Sequence, residues 1–290
     1  MAVLFEPPQA PAPIEVQAEC QALHDEMIRM APRRVISAHE RAESQSKQNG
    51  AAIDGENAAF AAREPAIRES GMRIGAQAGL AWRYRQINSL LEEPEIESAL
   101  DRAFNFNRMV TDDNVIYPVI SEAQESFSTA SDGQTARSSR MTWTIIRPAR
   151  IATKAANWRA YLHQAVEDPD KPARGLLPYD STEKAIWRET LCEGFAQGVD
   201  QANWIFHDRM TRLVRDYAGM LRYKVLETQG IVNEPEVAEG RMGVRVSADG
   251  ETVHVDDRMI RITDSVRFQE SSNWEAIRSM RLDPSKEGRP

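Results

Sequence analysis

Three glycines four residues apart, Gly71, Gly75 and Gly79, stand in a stretch that otherwise reads as helix, GMRIGAQAGLAWRYRQIN. Residues four apart stack on one face of a helix. The spacing therefore makes a ridge almost without side chains, with Ala78 and Ala81 beside it. Each glycine costs about 1 kcal/mol in helix propensity relative to alanine, and a close backbone contact of the small-xxx-small kind must offset that. The stretch then turns bulky and basic at Trp82, Arg83, Tyr84 and Arg85. Two readings stay open: the ridge packs inside its own domain, or it docks another subunit.

A second long pattern runs from about Thr182 to Gln229. Trp187, Leu191, Phe195, Val199, Ala202, Phe206, Met210, Leu213, Tyr217 and Leu221 recur every three or four residues, one continuous apolar stripe. Gly194 and Gly198 add a second smooth patch. Ser181 or Thr182 is expected to cap the start and Gly230 to stop the end. Unbroken, such a helix spans roughly 70 Å, and a bend is expected near Gly194–Gly198 or at Gly219.

Around these two helices the pattern is mixed. Residues 1–57 form a Pro/Ala-rich, charged extension, expected to be largely disordered or weakly helical; its Leu23, Met27 and Met30 make only a weak apolar face. Pro65 fits the first turn of the glycine-striped helix, which should end before Pro94. A shorter helix is expected over 96–106, and in Phe104-Asn105-Phe106-Asn107 the rings should be buried while the amides bond a turn. The run 115–120, broken by Pro118, reads as an edge segment, and 128–139 as a loop. MTWTII at 141–146 reads as a strand, and a short helix begins at Trp158. Three alternating stretches near the C-terminus, RMGVRVS, ETVHV and RMIRIT, with turn pairs Asp249-Gly250 and Asp256-Asp257, predict a three-stranded meander. The strand at 141–146 should extend its sheet. The expected fold is α+β, mainly helical, as a single domain over 58–275 with a charged tail at 276–290.

Little of this looks like chemistry. A net charge of −8 argues against a general nucleic-acid binder, and no apolar run is long enough to span a membrane. The opening residues lack the basic and apolar regions of a secretory signal, and Gln17-Ala18-Glu19 does not make a lipid-processing site before Cys20. Cys20 and Cys192 form no framework or metal spacing, and their pairing is left open. His207 and Asp208 are adjacent, hence on different helix faces, a poor acid–base pair. No P-loop or dinucleotide motif appears, so no cofactor and no metal are expected. The one enzyme alternative is a glycan-cleaving role with Glu193 as general acid, and no second carboxylate is identifiable beside it.

Several stretches in one order carry a resemblance: GAQAGLAWR (75–83), FNFN (104–107), WRAYL (158–162), LLP (176–178), GFAQGVDQAN (194–203), RLVRDYAGM (212–220) and DDRMIRIT (256–263). Together they resemble the DotC family of type IVB secretion and conjugation systems, over about residues 67–275. The resemblance implies a non-enzymatic, periplasm-facing subunit of an outer-membrane core complex. In that family it assembles in multimeric rings with a DotD-type lipoprotein and helps place a DotH-type, secretin-like subunit. From their spacing and chemistry, Gly71, Gly75, Gly79, Trp82, Arg83, Gly194 and Gly198 are the candidate packing or interface residues. Where the family carries a lipid-bearing cysteine, this chain has its Pro/Ala-rich extension.

Overall fold

The computed structural model describes residues 10–30, 51–129, 136–256, 258–270, 272 and 274. The expectations for residues 1–9 and 31–50 of the extension, for the centre of the 128–139 loop and for the 276–290 tail lie outside them. In order, the chain forms α1 (Pro13–Met30), α2 (Ala51–Leu91), α3 (Pro94–Ala103), β1 (Val115–Ile116), β2 (Val119–Thr129), β3 (Ala136–Arg147), β4 (Arg150–Ile151), α4 (Trp158–Leu162), α5 (Ser181–Thr228), β5 (Glu236–Arg241), β6 (Val244–Val246), β7 (Val253–Val255) and β8 (Arg258–Asp264). The class is α+β, mostly helical. Where one domain is expected, the chain divides into two compact units, Met1–Ala99 with Leu162–Arg209 and Leu100–Tyr161 with Met210–Pro290. Helices α3 and α5 contribute to both, so no linker in the sequence marks the division.

The first unit is a packing of helices. The glycine-striped α2 starts at Ala51, so Pro65 lies inside it rather than in its first turn. The N-terminal extension is more structured than its composition suggests, because α1 lays Val16, Cys20, Leu23 and Met27 against the other helices. Those residues are four, three and four apart, one helix face. Met27 joins Ile67, Ile74, Leu177, Trp187 and Leu191 in one cluster, and Cys20 joins Ala78, Phe195 and Val199 in the next.

Helix α5 is continuous over 48 residues, without the expected break at its glycines. Its N-cap is Asp180, whose Oδ1 accepts from Glu183 N at 2.7 Å, rather than Ser181 or Thr182. Glu183 Oε2 in turn accepts from Tyr179 N at 2.8 Å, a reciprocal arrangement close to a capping box. At the other end Gly230 takes φ 68°. Gly230 N bonds Glu227 O at 2.9 Å and Ile231 N bonds Leu226 O at 2.9 Å, the paired bonds of a Schellman stop.

Among the described residues every strand lies in the second unit, always as antiparallel pairs. The 141–146 strand does not join the C-terminal strands; β3 pairs with β2, with Ile120 opposite Ile145 and Gln124 opposite Met141. The run after Pro118 is therefore a full strand, which the proline permits because it precedes the first paired residue. The predicted meander is instead one long hairpin. Arg241 faces Arg258 and Val244 faces Val255, a single register, so Gly243 (φ 66°) and Asp256 (φ 57°) fall opposite one another. Matching left-handed residues interrupt both arms together without slipping the pairing. Asp249-Gly250 alone reverses the chain, where Ser247 N bonds Thr252 O at 2.8 Å.

Candidate functional site: the helix interlock and the surfaces around it

In the first unit the two glycine patches meet each other. A Cβ added at Gly75 would fall on Leu191 O, one at Gly79 on Phe195 O, one at Gly194 on Met72 O and one at Gly198 on Ala76 O. Gly71 faces the Thr190 hydroxyl instead of a backbone atom. The glycines of α2 and α5 thus interlock, and the backbone approach that the spacing demands is made within the chain. Ring and charge follow the same rule. Trp82 lies 5.6 Å from the Phe195 ring, while Arg83 is buried, its Nε donating to Asn203 Oδ1 at 2.7 Å and its Nη1 to Gln86 Oε1 at 2.9 Å. Burial pulls the Arg83 pKa down from its ordinary value, with Glu15 opposing. All seven expected packing residues line this one region.

Cys20 and Cys192 are disulfide-bonded, with Cα atoms 5.4 Å apart, and so pin α1 to α5. The open question of their pairing is thereby answered, and neither is a free buried thiol. Arg63 reaches across from α2 to the buried Glu183 at 3.3 Å and lies over the Tyr179 ring at 4.4 Å.

Glu193 stands on the exposed face of α5, where Gln197 Nε2 donates to its Oε1 at 3.4 Å. Among the described residues no group of three or more His, Cys, Asp or Glu side chains is placed to hold a metal, and no helix is long and apolar enough to cross a membrane.

In the second unit the FNFN rings are packed as expected. Phe106 stacks on Tyr161 at 5.9 Å and meets Tyr217 edge-on at 5.1 Å, and Phe104 meets Tyr217 at 5.4 Å. Asn105 makes no capping bond. A cleft of about 560 Å³ opens beside this turn, bordered by Asp101, Asn107 and Arg159. Asp101 already accepts from Trp158 Nε1 at 2.7 Å and Arg159 Nη1 at 2.9 Å. Both bonds hold its carboxyl below the usual range, that from Arg159 the more.

Asp216 is passed over when the sequence alone is read. It is fully buried on the apolar stripe of α5 and accepts from Tyr161 Oη at 3.0 Å, Arg147 Nη1 at 2.8 Å and Arg215 Nη2 at 3.0 Å. Its signal was there to read: a lone acid at a stripe position, one residue after an arginine. Asp216→Ala should cost about 2 kcal/mol in a denaturant titration, because the Tyr161 hydroxyl loses its partner while the half-exposed arginines regain water. Tyr161 titrates above its ordinary value through burial and then the Asp216 charge.

At the C-terminal end of α5 Glu227 sits against Glu234, with Tyr223, and with Lys224 Nζ 4.7 Å over the Tyr117 ring. Burial, then the hydrogen bond and charge of Glu234, push the Glu227 carboxyl up to about 7. A raised folded pKa means that the folded chain holds this proton more tightly than the unfolded one. Stability from this group is complete below the ordinary 4.5 and is lost as pH rises through about 7. Thermal melts from about pH 4.5 to pH 7.5 should show that fall, and Glu227→Gln should flatten it.

Residues 61–276 match a family described as type IV secretory system, conjugal DNA-protein transfer. No curated protein matches the chain.

Proposed function

The chain belongs to the type IV secretory system family of conjugal DNA-protein transfer, and on that premise we propose that it is a structural, non-enzymatic subunit of a type IVB outer-membrane core complex. In this reading it faces the periplasm and packs with a DotD-type lipoprotein. It also helps to place a DotH-type, secretin-like subunit, and several copies share one ring-like assembly. The DotC-like order of motifs, from GAQAGLAWR to DDRMIRIT, supports the finer assignment within the family.

The observation that carries the structural role is the use made of the motif residues. Gly71, Gly75, Gly79, Trp82, Arg83, Gly194 and Gly198 all serve the packing of α2 on α5, which suits a rigid scaffold. The Cys20–Cys192 disulfide supports an oxidising compartment such as the periplasm.

The test is complementation. Loss of the chain should abolish transfer by the apparatus, and a Glu193→Gln chain should restore it as fully as the natural one. Hydrolysis of purified peptidoglycan that disappears in Glu193→Gln would overturn the non-enzymatic role.

A further inference from the structure

We infer that the cleft beside the FNFN turn at 104–107 binds an extended, acidic segment of a partner chain. Asparagine amides pair with the peptide groups of that segment, and Lys154 takes one of its side-chain carboxylates. The cleft, about 560 Å³, has the size of a ligand pocket, about 300–1000 Å³. All of its lining comes from residues 101–159, within the second unit.

Part of that lining is spent on holding the walls. Asp101 accepts from Trp158 Nε1 and pairs with Arg159, whose guanidinium lies 4.3 Å over the Trp158 ring. Phe104 and Phe106 both meet Tyr217 edge-on. These contacts keep the cleft in one shape, so little ordering is lost on binding.

The rest of the lining has no such use. The rings of the motif serve packing, but its amides serve nothing inside the chain. Asn105 makes no capping bond, and among the described residues no group bonds the side chains of Asn105, Asn107 or Lys154. Asn157 Oδ1 accepts from Ala160 N at 2.9 Å, which leaves its Nδ2 hydrogens to spare. All four residues line the cleft, Asn105 half-buried and the other three exposed.

These spare groups define the ligand. An asparagine side chain carries both donors and acceptors, the complement of a peptide N–H and C=O. Lys154 carries donors and charge alone, and its complement is a carboxylate. Of the three charged side chains in the lining, Asp101 and Arg159 face each other and Lys154 is left over. That count also disfavours a nucleic-acid strand, whose phosphates draw on several cations. One ion pair and a few amide bonds make a weak joint, with Kd on the order of 0.1–1 mM. Many copies engaged at once strengthen such a joint without new contacts.

The inference gives the core-subunit reading a partner chemistry and rests on it only for its setting. Peptide binding is measured on purified chain and complementation in cells, so either can fail alone.

The experiment titrates the purified full chain with acetyl-Ala-Ala-Asp-Ala-Ala-amide and follows the side-chain amide signals of Asn105 and Asn107 by heteronuclear NMR. Both signals should shift and saturate. The same peptide with asparagine at its centre should bind about tenfold more weakly, because a hydrogen bond to a charged group is the stronger one. Lys154→Glu should weaken the Asp peptide about as much and bind a peptide with central lysine better than the natural chain does. Asn107→Ala should weaken the Asp peptide about fivefold. Both substitutions change exposed side chains and should keep the melting curve. The comparison of Asp and Asn peptides uses the natural chain and stands whatever the variants do to folding. Equal binding of those two peptides, shifts only outside the cleft, acetate binding as tightly as the peptide, or tighter binding of a short oligodeoxynucleotide at the same amides would overturn the inference.

Discussion

Gly79→Leu and Gly198→Leu should each destabilise the fold by about 3 kcal/mol or more, and even alanine should cost about 2 kcal/mol at these positions. Alanine is the better helix former by about 1 kcal/mol, so a loss reverses the sign that propensity alone gives. The reason is what the new carbon meets. At Gly79 it falls on the Phe195 carbonyl and at Gly198 on the Ala76 carbonyl, and two packed backbones cannot yield as a side-chain end can. Gly71→Ala serves as the control, because it meets the Thr190 hydroxyl; its cost should stay below about 1 kcal/mol. Denaturant titrations of the alanine variants give the comparison directly. Equal stability of Gly79→Ala and Gly71→Ala would rule out the interlock.

Breaking the Cys20–Cys192 disulfide should cost about 2–4 kcal/mol. The bond closes a sequence separation of 172 residues, and long closed loops constrain the unfolded chain most. Cys20→Ser with Cys192→Ser should therefore lower the melting temperature, and the loss should be local in its consequences. Helix α1 should exchange its amide hydrogens faster, since Val16, Leu23 and Met27 are then its remaining hold on α2 and α5. Faster exchange spread evenly over α2 and α5, with α1 unchanged, would show that the bond is not what pins α1.

The two long helices were legible because their signals are strictly local: glycines at a spacing of four, an unbroken apolar stripe, and Gly230 at its end. The expected bend in α5 fails for an instructive reason. Gly194 and Gly198 are not hinges; they are where the backbone of α2 passes. Helix α1 reads from the sequence as only weakly helical because its apolar face includes Cys20, which counts as apolar only once its partner is known. The pairing itself joins residues from opposite ends of the first unit, and no spacing rule encodes it. The C-terminal meander failed at Asp256, where a turn residue gives a kink matched by Gly243 and not a reversal. Asp216 is a tertiary fact: an acid on an apolar stripe is intelligible only when Arg147 and Tyr161 arrive from elsewhere in the chain. The family resemblance pointed to secretion, and the match over residues 61–276 places the chain in a type IV family of conjugal transfer.

The most direct test of the proposed role is affinity purification of the tagged chain from the envelope of cells that carry the transfer apparatus. The core-subunit account predicts a high-mass particle that contains DotD-type and DotH-type subunits, with Cys20 and Cys192 oxidised in the retained chain. It also predicts that a Gly79→Leu chain is absent from that particle. Recovery of the natural chain alone, with free thiols and outside the envelope fraction, would contradict it.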